Sequence, residues 1–371
     1  MKKYLLPIFA AMLAIVSCSK DNGSDEPGKP QAPKEFSVLL PDDLEDIQLN
    51  YEQQDKKLDF EWDATESLKY EAVFSLAQDL SSPVAVELNN TGKAALTHKQ
   101  LDEVLEKLGV KAYHAAEVFW AISASSDKGK TLSGVRSMKL LRFMAPFTDP
   151  RDGEVYRVVR VVDPLTGDAA VWLADNLRAK KYADGTEVDA ANIRFSEPEE
   201  GADDYHKEWC RLRGAYYSWN AAVRNTQAAA AGEKVQGIAP DGWHVATRDE
   251  WIFLINNQPD NTNPAASMRS KQYWYAAMAP ECNNSFGFNV VSTGYIWTIT
   301  NAEHEIIEGE KWASFWTSTE PKDGDVIPWT PNPADFPNQA CVYSFSQDDN
   351  GIAYFVYAKD RGYNVRCVLD D

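Results

Sequence analysis

The chain changes character near residue 146, and this change limits the folds that are open to it. Before that point, short strand-like runs alternate with turn residues, and one helical segment interrupts them. After it come ten of the twelve tryptophans. Apolar residues make up 44% of the chain and aromatic residues 12%, which is enough for sizeable cores. At 371 residues, the chain is long enough for two or three domains, so we predict a multidomain protein.

The N-terminus has the pattern of an export signal. Two lysines precede an apolar run from Leu5 to Val16, which ends at Ser17-Cys18. This run is shorter than the roughly 20 residues that a membrane-spanning helix needs, so residues 1–18 are predicted to be a signal peptide. The four residues that end at Cys18 resemble the lipobox of bacterial lipoproteins, which implies cleavage before Cys18 and its lipidation. An ordinary secretory signal is the alternative.

The first half of the remaining chain is predicted to be a β-rich domain on a tether. Residues 19–34 are polar and rich in Pro, Gly and charge, which is typical of a flexible tether. A capping box from Thr97 to Gln100 begins a helix, and Gly109 suits its C-cap. Together with the strands around it, this helix predicts an immunoglobulin-like β-sandwich with one helix over residues 35–146. The strand-like runs are FSVLL, IQLNYE, KLDFEWD, YEAVFSLA, AEVFWAISA and VRSMKLLRF.

The order of the motifs in this domain is distinctive. A Trp-Asp strand at 60–63 precedes a Tyr-x-x-x-Phe strand at 70–74, and Val-Phe-Trp-Ala at 118–121 follows the helix. This order resembles the N-terminal domain of SusE-type outer-membrane lipoproteins, the accessory glycan-binding proteins of starch-utilisation-type systems in Bacteroidetes. The resemblance implies a lipid anchor in the outer membrane and a SusC/SusD-type transporter complex as partner. Lys20-Asp21 and Ser24-Asp25-Glu26 resemble the signal that surface-exposed lipoproteins of Bacteroidetes carry just after the lipidated cysteine, which implies exposure to the cell exterior. Trp62 and Trp120 are predicted to be core residues.

Residues 147–371 carry a second series of motifs. In order, these are Asp152-Gly153, Trp172 with Asn176-Leu177, a helical stretch from Tyr216 to Ala222, Gly242-Trp243-His244, Trp316-Thr317-Ser318-Thr319 and Val365-Arg366-Cys367-Val368. The series resembles the Fibrobacter succinogenes major paralogous (FISUMP) domain. The resemblance implies an α+β fold like that of the C-type lectins, and it places the motif tryptophans in the core. Two departures are Ala246, where the motif has Pro, and Ala239, where it often has Cys.

Four cysteines follow the signal segment, and an exported location permits disulfides. They are Cys210, Cys282, Cys341 and Cys367. We expect Cys341 and Cys367 on the first and third strands of a meander, about 10 Å apart because neighbouring strands are about 4.8 Å apart. That distance is too long for a disulfide. We therefore predict the pairs Cys210–Cys367 and Cys282–Cys341, with four free buried thiols as the alternative.

The charge and the motifs argue against nucleic-acid binding and against catalysis. The net charge is −19, from 37 basic and 56 acidic residues, and both halves are acidic, whereas nucleic-acid binders need a basic face. The chain has no GxSxG elbow and no P-loop, and its HExxH-like segment at 304–308 lacks the second histidine. We predict that the protein is not an enzyme. We also predict no cofactor, with calcium at Asp348–Asn350 as the one candidate.

Aromatic side chains outside the motifs are the better indication of function. They include Tyr273, Trp274, Tyr275, Trp297 and Trp329, the last in a Pro-rich insert. A flat ring can receive the apolar face of a sugar while polar neighbours bind its hydroxyls, and exposed loop aromatics often mark binding sites. We predict that these residues bind a glycan. The alternative is that each ring packs on its own loop.

These observations combine into one functional prediction. The protein is expected to be a surface-exposed lipoprotein that binds a polysaccharide or oligosaccharide without catalysis and presents it to a SusC/SusD-type importer. One alternative is a structural or adhesin-like protein that binds a protein or peptide partner. A second is an enzyme whose active site the motifs do not reveal, which clustered carboxylates with raised pKa in a cleft would favour.

Overall fold

A computed structural model describes residues 34–64, 68–224, 226–230, 233–258, 262–274, 282–301, 305–322, 337–346 and 351–370. The predicted signal peptide with Cys18 lies outside these residues, as do Tyr275 and Trp329. The chain divides into two compact units. The first comprises Lys57–Leu96, Glu117–Met138 and the described residues up to Glu45; the second comprises Asp46–Lys56, Thr97–Ala116 and Lys139–Asp371. The domain boundary at residues 146–147 stays a prediction.

The N-terminal part of the chain is built mainly from strands. They are β1 (Val38–Leu40), β2 (Glu45–Gln48), β3 (Lys57–Trp62), β4 (Lys69–Ser75), β5 (Val84–Leu88), β6 (Lys93–Thr97), β7 (Ala115–Ser126), β8 (Gly129–Leu132) and β9 (Arg136–Leu141). A 3₁₀ turn spans Tyr51–Gln53, and helix α1 spans His98–Lys107. One sheet has the order β1-β3-β6, and another has the order β2-β9-β7-β4-β5 with β8 beside β7.

Local sequence accounts for most of these elements. The capping box of α1 is confirmed, because the Gln100 backbone N–H donates to the Thr97 hydroxyl and the Gln100 side chain accepts from the Thr97 N–H. Gly109 follows α1 with a φ of 84°, a conformation that favours glycine. The run IQLNYE was predicted as a strand, but it contributes only the end of β2 before the 3₁₀ turn.

Aromatic rings fill the core of the first unit. Trp62 and Trp120 are buried, as predicted. The ring of Phe60 lies 5.2 Å from that of Trp120 and 6.2 Å from that of Phe74, centroid to centroid, both edge to face. Edge-to-face contacts of this kind add to the energy of burial, so β3, β4 and β7 are joined by packing as well as by sheet hydrogen bonds.

The second unit contains the remaining elements. Its further strands are β10 (Phe147–Thr148), β11 (Val155–Tyr156), β12 (Val158–Val162), β13 (Ala169–Leu173), β14 (Ile193–Phe195), β15 (Ala215–Tyr217), β16 (Trp243–Val245), β17 (Tyr295–Ile296), β18 (Ile306–Ile307), β19 (Trp312–Trp316), β20 (Gln339–Ser346), β21 (Ile352–Ala358) and β22 (Cys367–Leu369). Its further helices are α2 (Asp204–Arg213), α3 (Trp219–Val223), α4 (Thr226–Ala230), α5 (Arg248–Asn257) and α6 (Pro264–Met268).

Two sheets organise this unit. One has the order β12-β13-β22-β16, so the last strand lies between strands from earlier in the chain. The other has the order β19-β20-β21, with all pairs antiparallel. Three short antiparallel pairs accompany them: β10-β11, β14-β15 and β17-β18. The described residues thus form a β-rich, multidomain protein with few helices, as predicted at this level.

The motif tryptophans form the core of the second unit, as predicted. They are Trp172, Trp219, Trp243, Trp251 and Trp316, and none is more than 1% exposed. The Trp251 ring lies 5.2 Å from the Trp172 ring and 5.4 Å from the Tyr343 ring. Helix α5, which presents Trp251, begins at the predicted capping box of Thr247 and Glu250. Burial of large rings is the main stabilising contribution expected from such a core.

One predicted helix is wrong in its extent. The sequence predicted helix from Tyr216 to Ala222, but Tyr216 and Tyr217 belong to β15 and pair with β14. Helix α3 starts only at Trp219, because the Ser218 side chain caps it by accepting from the Ala221 N–H. Tertiary pairing overrides local helix propensity for the two tyrosines, since the propensity differences are small.

Two of the sequence motifs meet at a buried guanidinium. Arg366 is 1% exposed, and its Nε donates to Asn176 Oδ1 at 2.9 Å. Its Nη1 donates to the Phe288 carbonyl at 3.1 Å. The Asn176 amide donates in turn to the Arg213 carbonyl at 3.0 Å, at the end of α2. These bonds join the residue before β22, the segment after β13 and the end of helix α2.

The predicted disulfides are not found: all four cysteines are free. The premise about strand order was wrong, because Cys341 lies in β20 and Cys367 in β22, and these strands belong to different sheets. Cys367 is buried in a hydrophobic core, whereas Cys210 on α2 is half-buried, with its sulfur 3.4 Å from the Ser196 hydroxyl. Cys341 contacts the Tyr354 hydroxyl, and Cys282 is half-buried.

Free thiols predict a definite order of chemical labelling. We expect Cys210 and Cys282, which are half-buried, to react first with a thiol reagent in the native protein. Cys341 and Cys367 should react only after unfolding, because both are buried and burial raises the pKa of the Cys367 thiol to about 12. Mass spectrometry of labelled peptides measures this order. A mass deficit of two hydrogens per bond in the unreduced, unfolded protein would contradict the prediction.

A buried histidine predicts how stability depends on pH. His244 on β16 is 2% exposed, with Nε2 2.7 Å from Glu250 Oε1 and Nδ1 2.7 Å from Asp370 Oδ1. Burial acts to lower the pKa of His244, but the bonds to both carboxylates outweigh it and raise the pKa. Burial acts to raise the pKa of Glu250, but the bonds to His244 lower it to about 2. The pair is therefore most stabilising between the unfolded values of 4.5 and 6.5.

We expect the free energy of unfolding to fall as the pH rises above 6.5, through the folded pKa of His244, and also as it falls below 4.5, towards that of Glu250. Denaturant titrations at a series of pH values measure both limbs. His244→Gln should remove the alkaline limb, and Asp370→Asn should reduce it. An unchanged alkaline limb in His244→Gln would show that another group causes it.

Candidate functional site

An exposed tryptophan marks one face of the second unit. Trp297 follows β17 directly and is 58% exposed, and among the tryptophans of the described residues it is the only exposed one. The guanidinium carbon of Arg361 lies 4.0 Å from the centroid of its ring. A stacked guanidinium attracts the ring by a cation–π interaction. One face of the indole is thus backed by Arg361, while much of its surface remains in contact with solvent.

The backbone fixes the position of Arg361. Ile296 and Gly362 exchange backbone hydrogen bonds of 3.0 and 2.8 Å, and the Ile299 N–H donates to the Asp360 carbonyl at 2.9 Å. A Cβ atom at Gly362 would lie 2.9 Å from the Ile296 Cβ, so only glycine permits this close approach. The guanidinium of Arg361 also lies 4.3 Å from the centroid of the Tyr357 ring.

The turn that contains Asp360 lines part of a polar groove of about 770 Å³. We call it the Trp297 groove, because its lining includes Thr300 and Asp360, which are close in the chain to Trp297 and Arg361, although Trp297 itself does not line it. On one side, the Ser218 hydroxyl donates to Asn192 Oδ1 at 2.8 Å. Exposed or half-exposed amides and hydroxyls complete much of the lining: Asn192, Asn220, Thr226, Gln227, Thr300 and Asn338.

A lysine bridges the base of the Trp297 groove. The ammonium of Lys359 lies 4.3 Å from the centroid of the buried Trp219 ring and pairs with the carboxylate of Glu320. It also donates to the Pro337 carbonyl at 2.8 Å. Lys359 and Glu320 are thus engaged with each other, and the remaining amides and hydroxyls of the lining can both donate and accept hydrogen bonds. Such a lining suits a ligand rich in hydroxyl groups.

A second aromatic surface lies on helix α2. Tyr205 is 46% exposed, and its ring centroid lies 4.8 Å from that of Tyr273. The Tyr273 ring stacks on Trp209 at 6.0 Å, and the Arg213 guanidinium lies 4.0 Å from the Trp209 centroid. These four side chains form a continuous stack, here called the Tyr205 stack, whose exposed end is Tyr205.

A groove of about 760 Å³ adjoins the Tyr205 stack. Tyr273, Gln272 and Asn289 line it, together with charged side chains from α2 and from the segments next to β11, β12 and β13. Arg211 is held by Glu208 through two hydrogen bonds of 2.7 Å. The groove therefore offers amide, guanidinium and carboxylate groups beside an aromatic wall.

The structure separates the residues predicted to bind a glycan. Trp297 is exposed, as a binding platform requires, whereas Tyr273 is 9% exposed because Tyr205 and Trp209 cover its ring. Trp274 is half-buried: its Nε1 donates to the Val290 carbonyl at 3.0 Å and its ring packs against the core. Tyr275 and Trp329 lie outside the described residues. Tyr273 belongs to the Tyr205 stack, whereas the Trp297 ring packs against Arg361.

Sequence reasoning did not identify Tyr205, Trp209 or Arg361. The four-residue spacing of Tyr205 and Trp209 places both on one face of a helix and could have indicated a helical aromatic pair. No comparable signal exists for Arg361, because its partner Trp297 lies in a distant part of the sequence.

Metal-ligating clusters and membrane-spanning helices are both absent from the described residues. No group of three or more His, Cys, Asp or Glu side chains in this part of the chain is placed to hold a metal ion. The calcium candidate at Asp348–Asn350 lies outside the described residues. No described helix is both long enough and apolar enough to cross a bilayer.

Comparison with known proteins gives two matches along the chain. Residues 24–123 match the family described as SusE outer membrane protein. Residues 168–369, more than half of the chain, match the family described as the Fibrobacter succinogenes major domain. A comparison with curated proteins found no match. The chain therefore belongs to the Fibrobacter succinogenes major domain family, and a segment similar to the SusE outer membrane protein precedes that domain.

Proposed function

We propose that the protein captures a glycan without catalysis at the Trp297 groove. The observation that carries the proposal is the exposed indole of Trp297, backed by Arg361 at 4.0 Å and next to a groove rich in amides and hydroxyls. Sugars present an apolar C–H face that packs on flat rings, and their hydroxyls need partners that both donate and accept hydrogen bonds. A ring already held on one face loses little entropy when it binds.

The ion pair of Lys359 and Glu320 in the Trp297 groove supports a binding function rather than hydrolysis of the glycan. Glycoside hydrolases generally use two carboxyl groups that are free to act on the bond. In the Trp297 groove, the carboxylate of Glu320 is engaged by the ammonium of Lys359, which also bonds the Pro337 carbonyl. This pair maintains the shape of the groove, so we assign Glu320 a structural role.

The SusE match supports a place in the outer membrane and in the Sus system. In our proposal, lipidated Cys18 anchors the chain and residues 19–34 hold the folded part away from the membrane. The protein faces the cell exterior and presents its glycan to a SusC/SusD-type importer. An immunoglobulin-like sandwich followed by a C-type-lectin-like domain is the architecture that we propose for the two halves. A protein or peptide partner is the alternative that the binding experiments address.

Replacement of Trp297 tests the binding site. We expect Trp297→Ala to reduce the affinity for a bound polysaccharide at least about tenfold, because a central aromatic contact commonly contributes more than 1 kcal/mol. Affinity-gel electrophoresis and titration calorimetry of residues 19–371 against a panel of soluble polysaccharides, with calcium and with chelator, measure the effect. Leu165→Ala, at a site that is 93% exposed, is the matched control.

The outcomes separate the hypotheses. Binding by the wild-type protein and by Leu165→Ala, with loss in Trp297→Ala, would support glycan capture at the Trp297 groove. Equal affinity in all three proteins would place the site elsewhere. Absence of binding to every polysaccharide would overturn the glycan function and favour a protein or peptide partner.

The proposed anchor has its own test. Cys18→Ala removes the thiol that would carry the lipid, so the variant lacks the proposed covalent anchor. We expect the variant to be absent from the outer-membrane fraction. We also expect added protease to degrade the wild-type protein on intact cells, because the proposed location is the outer surface. Retention of Cys18→Ala in the membrane would contradict the lipid anchor. Protection of the wild type from protease would contradict surface exposure.

A further inference from the structure

We propose that Tyr205 and the groove beside it form a second glycan contact, and that one polysaccharide chain engages both this contact and Trp297. This inference rests on the proposed glycan function. It adds a second site, the Tyr205 stack, and it defines the ligand as a chain long enough to reach both rings and free of carboxylate and sulfate groups.

Tyr205 is presented in the same way as Trp297. Its ring is 46% exposed and rests on the Tyr273 ring at 4.8 Å, which in turn stacks on Trp209. The Trp209 Nε1 donates to the Ser292 carbonyl at 3.1 Å, which fixes the orientation of the stack. Each of these two exposed residues is therefore supported by a second flat group and leaves part of its surface in contact with solvent. This arrangement suits reception of a sugar face with little loss of side-chain freedom.

A short segment joins the two contacts. Ser292 bonds to both supporting residues of the stack, because its backbone N–H donates to the Tyr273 carbonyl at 3.2 Å and its carbonyl accepts from Trp209. Trp297 follows five residues later. Five residues span at most about 18 Å even when fully extended, so the Trp297 backbone lies within that distance of the segment that holds Trp209 and Tyr273, a span that an oligosaccharide can cover.

The charges around both contacts define the ligand. Four carboxylates line the groove beside the Tyr205 stack, against two guanidinium groups, Arg157 and Arg211. In the Trp297 groove, Glu320 and Asp360 stand against Lys359, and Arg361 adds a second cation beside the ring, so the charges there balance. The groove beside the Tyr205 stack carries an excess of negative charge, on a chain of net charge −19. Carboxylated or sulfated glycans are repelled by such a surface, whereas uncharged chains are not.

Two modest contacts within one compact unit can give high affinity for a long chain. Once the first contact forms, the second becomes intramolecular, and the gain in overall affinity can reach about 10²-fold or more. A disaccharide cannot bridge the contacts and should bind each of them separately and weakly. The chain-length dependence of affinity is therefore the signature of the arrangement.

The experiment uses residues 19–371 and three neutral polysaccharides, an α-glucan, a galactomannan and a xyloglucan, each with its disaccharide and longer oligosaccharides. Tyr205→Ala and Trp297→Ala are compared with the wild type, with Tyr205→Phe as the matched variant that keeps the ring and Leu165→Ala as the surface control. Calorimetry gives the affinity and the number of sites. A polygalacturonate and a sulfated glycan are the charged probes.

The expected result is at least about tenfold weaker polysaccharide binding in Tyr205→Ala as well as in Trp297→Ala, with Tyr205→Phe close to the wild type. Disaccharide binding should fall from two sites to one in either alanine variant. If Trp297→Ala loses binding but Tyr205→Ala does not, the second contact is overturned while the proposed function stands. Equal affinity for the charged probes would overturn the ligand class. Absence of binding by the wild type would overturn both proposals.

Discussion

The second unit depends on a buried cation, the guanidinium of Arg366. A charge taken out of water is costly unless polar groups surround it. Asn176 Oδ1 and the Phe288 carbonyl accept from this guanidinium, and the Phe288 ring lies 4.5 Å from its carbon. Burial lowers the pKa of Arg366 to about 9, against the opposing effect of Asp175, so the group is still charged at neutral pH. The surroundings therefore have to remain in place for the charge to be tolerated.

This requirement extends to both aromatic contacts. Asn176 binds the Arg213 carbonyl at the end of α2, and α2 carries Tyr205 and Trp209. Arg366 itself lies a few residues after Arg361, on the same segment that leads from β21 into β22. A substitution at Arg366 or Asn176 would thus disturb α2 and the turn below Trp297 together. The binding surfaces are loops and helix faces, but a buried polar contact between two strand regions positions them.

The sequence predicted what depends on local chemistry and on resemblance. The capping boxes at Thr97 and Thr247 define helix starts through contacts three residues apart, so both could be read directly. The motif tryptophans could be placed in the core because their motifs were identified. The helix expected at Tyr216 failed because pairing with β14 depends on residues far away in the chain. The disulfides failed for the same reason, since the assignment of strands to sheets is not a local property.

The candidate site, too, could be predicted from the sequence only in part. Trp297 was selected because it lies outside the motifs, and this selection placed it correctly on the surface. Its support by Arg361 and the stacking of Tyr205 on Tyr273 could not be foreseen. Both contacts join segments that the fold brings together, and their geometry depends on how α2 and the turn at Gly362 are held. Aromatic residues can be counted in a sequence, but the exposure of each ring and the group that packs against it depend on the three-dimensional structure.

The uneven exposure of the tryptophans also gives the protein an internal optical reporter. Most tryptophans of the described residues are buried or half-buried, and Trp297 alone is exposed, against a guanidinium. An aqueous quencher added to the native protein therefore meets this indole before the core indoles. A ligand that covers it would change the emission of this indole more than that of the buried indoles of the described residues, so occupancy of that ring could be followed without any attached label.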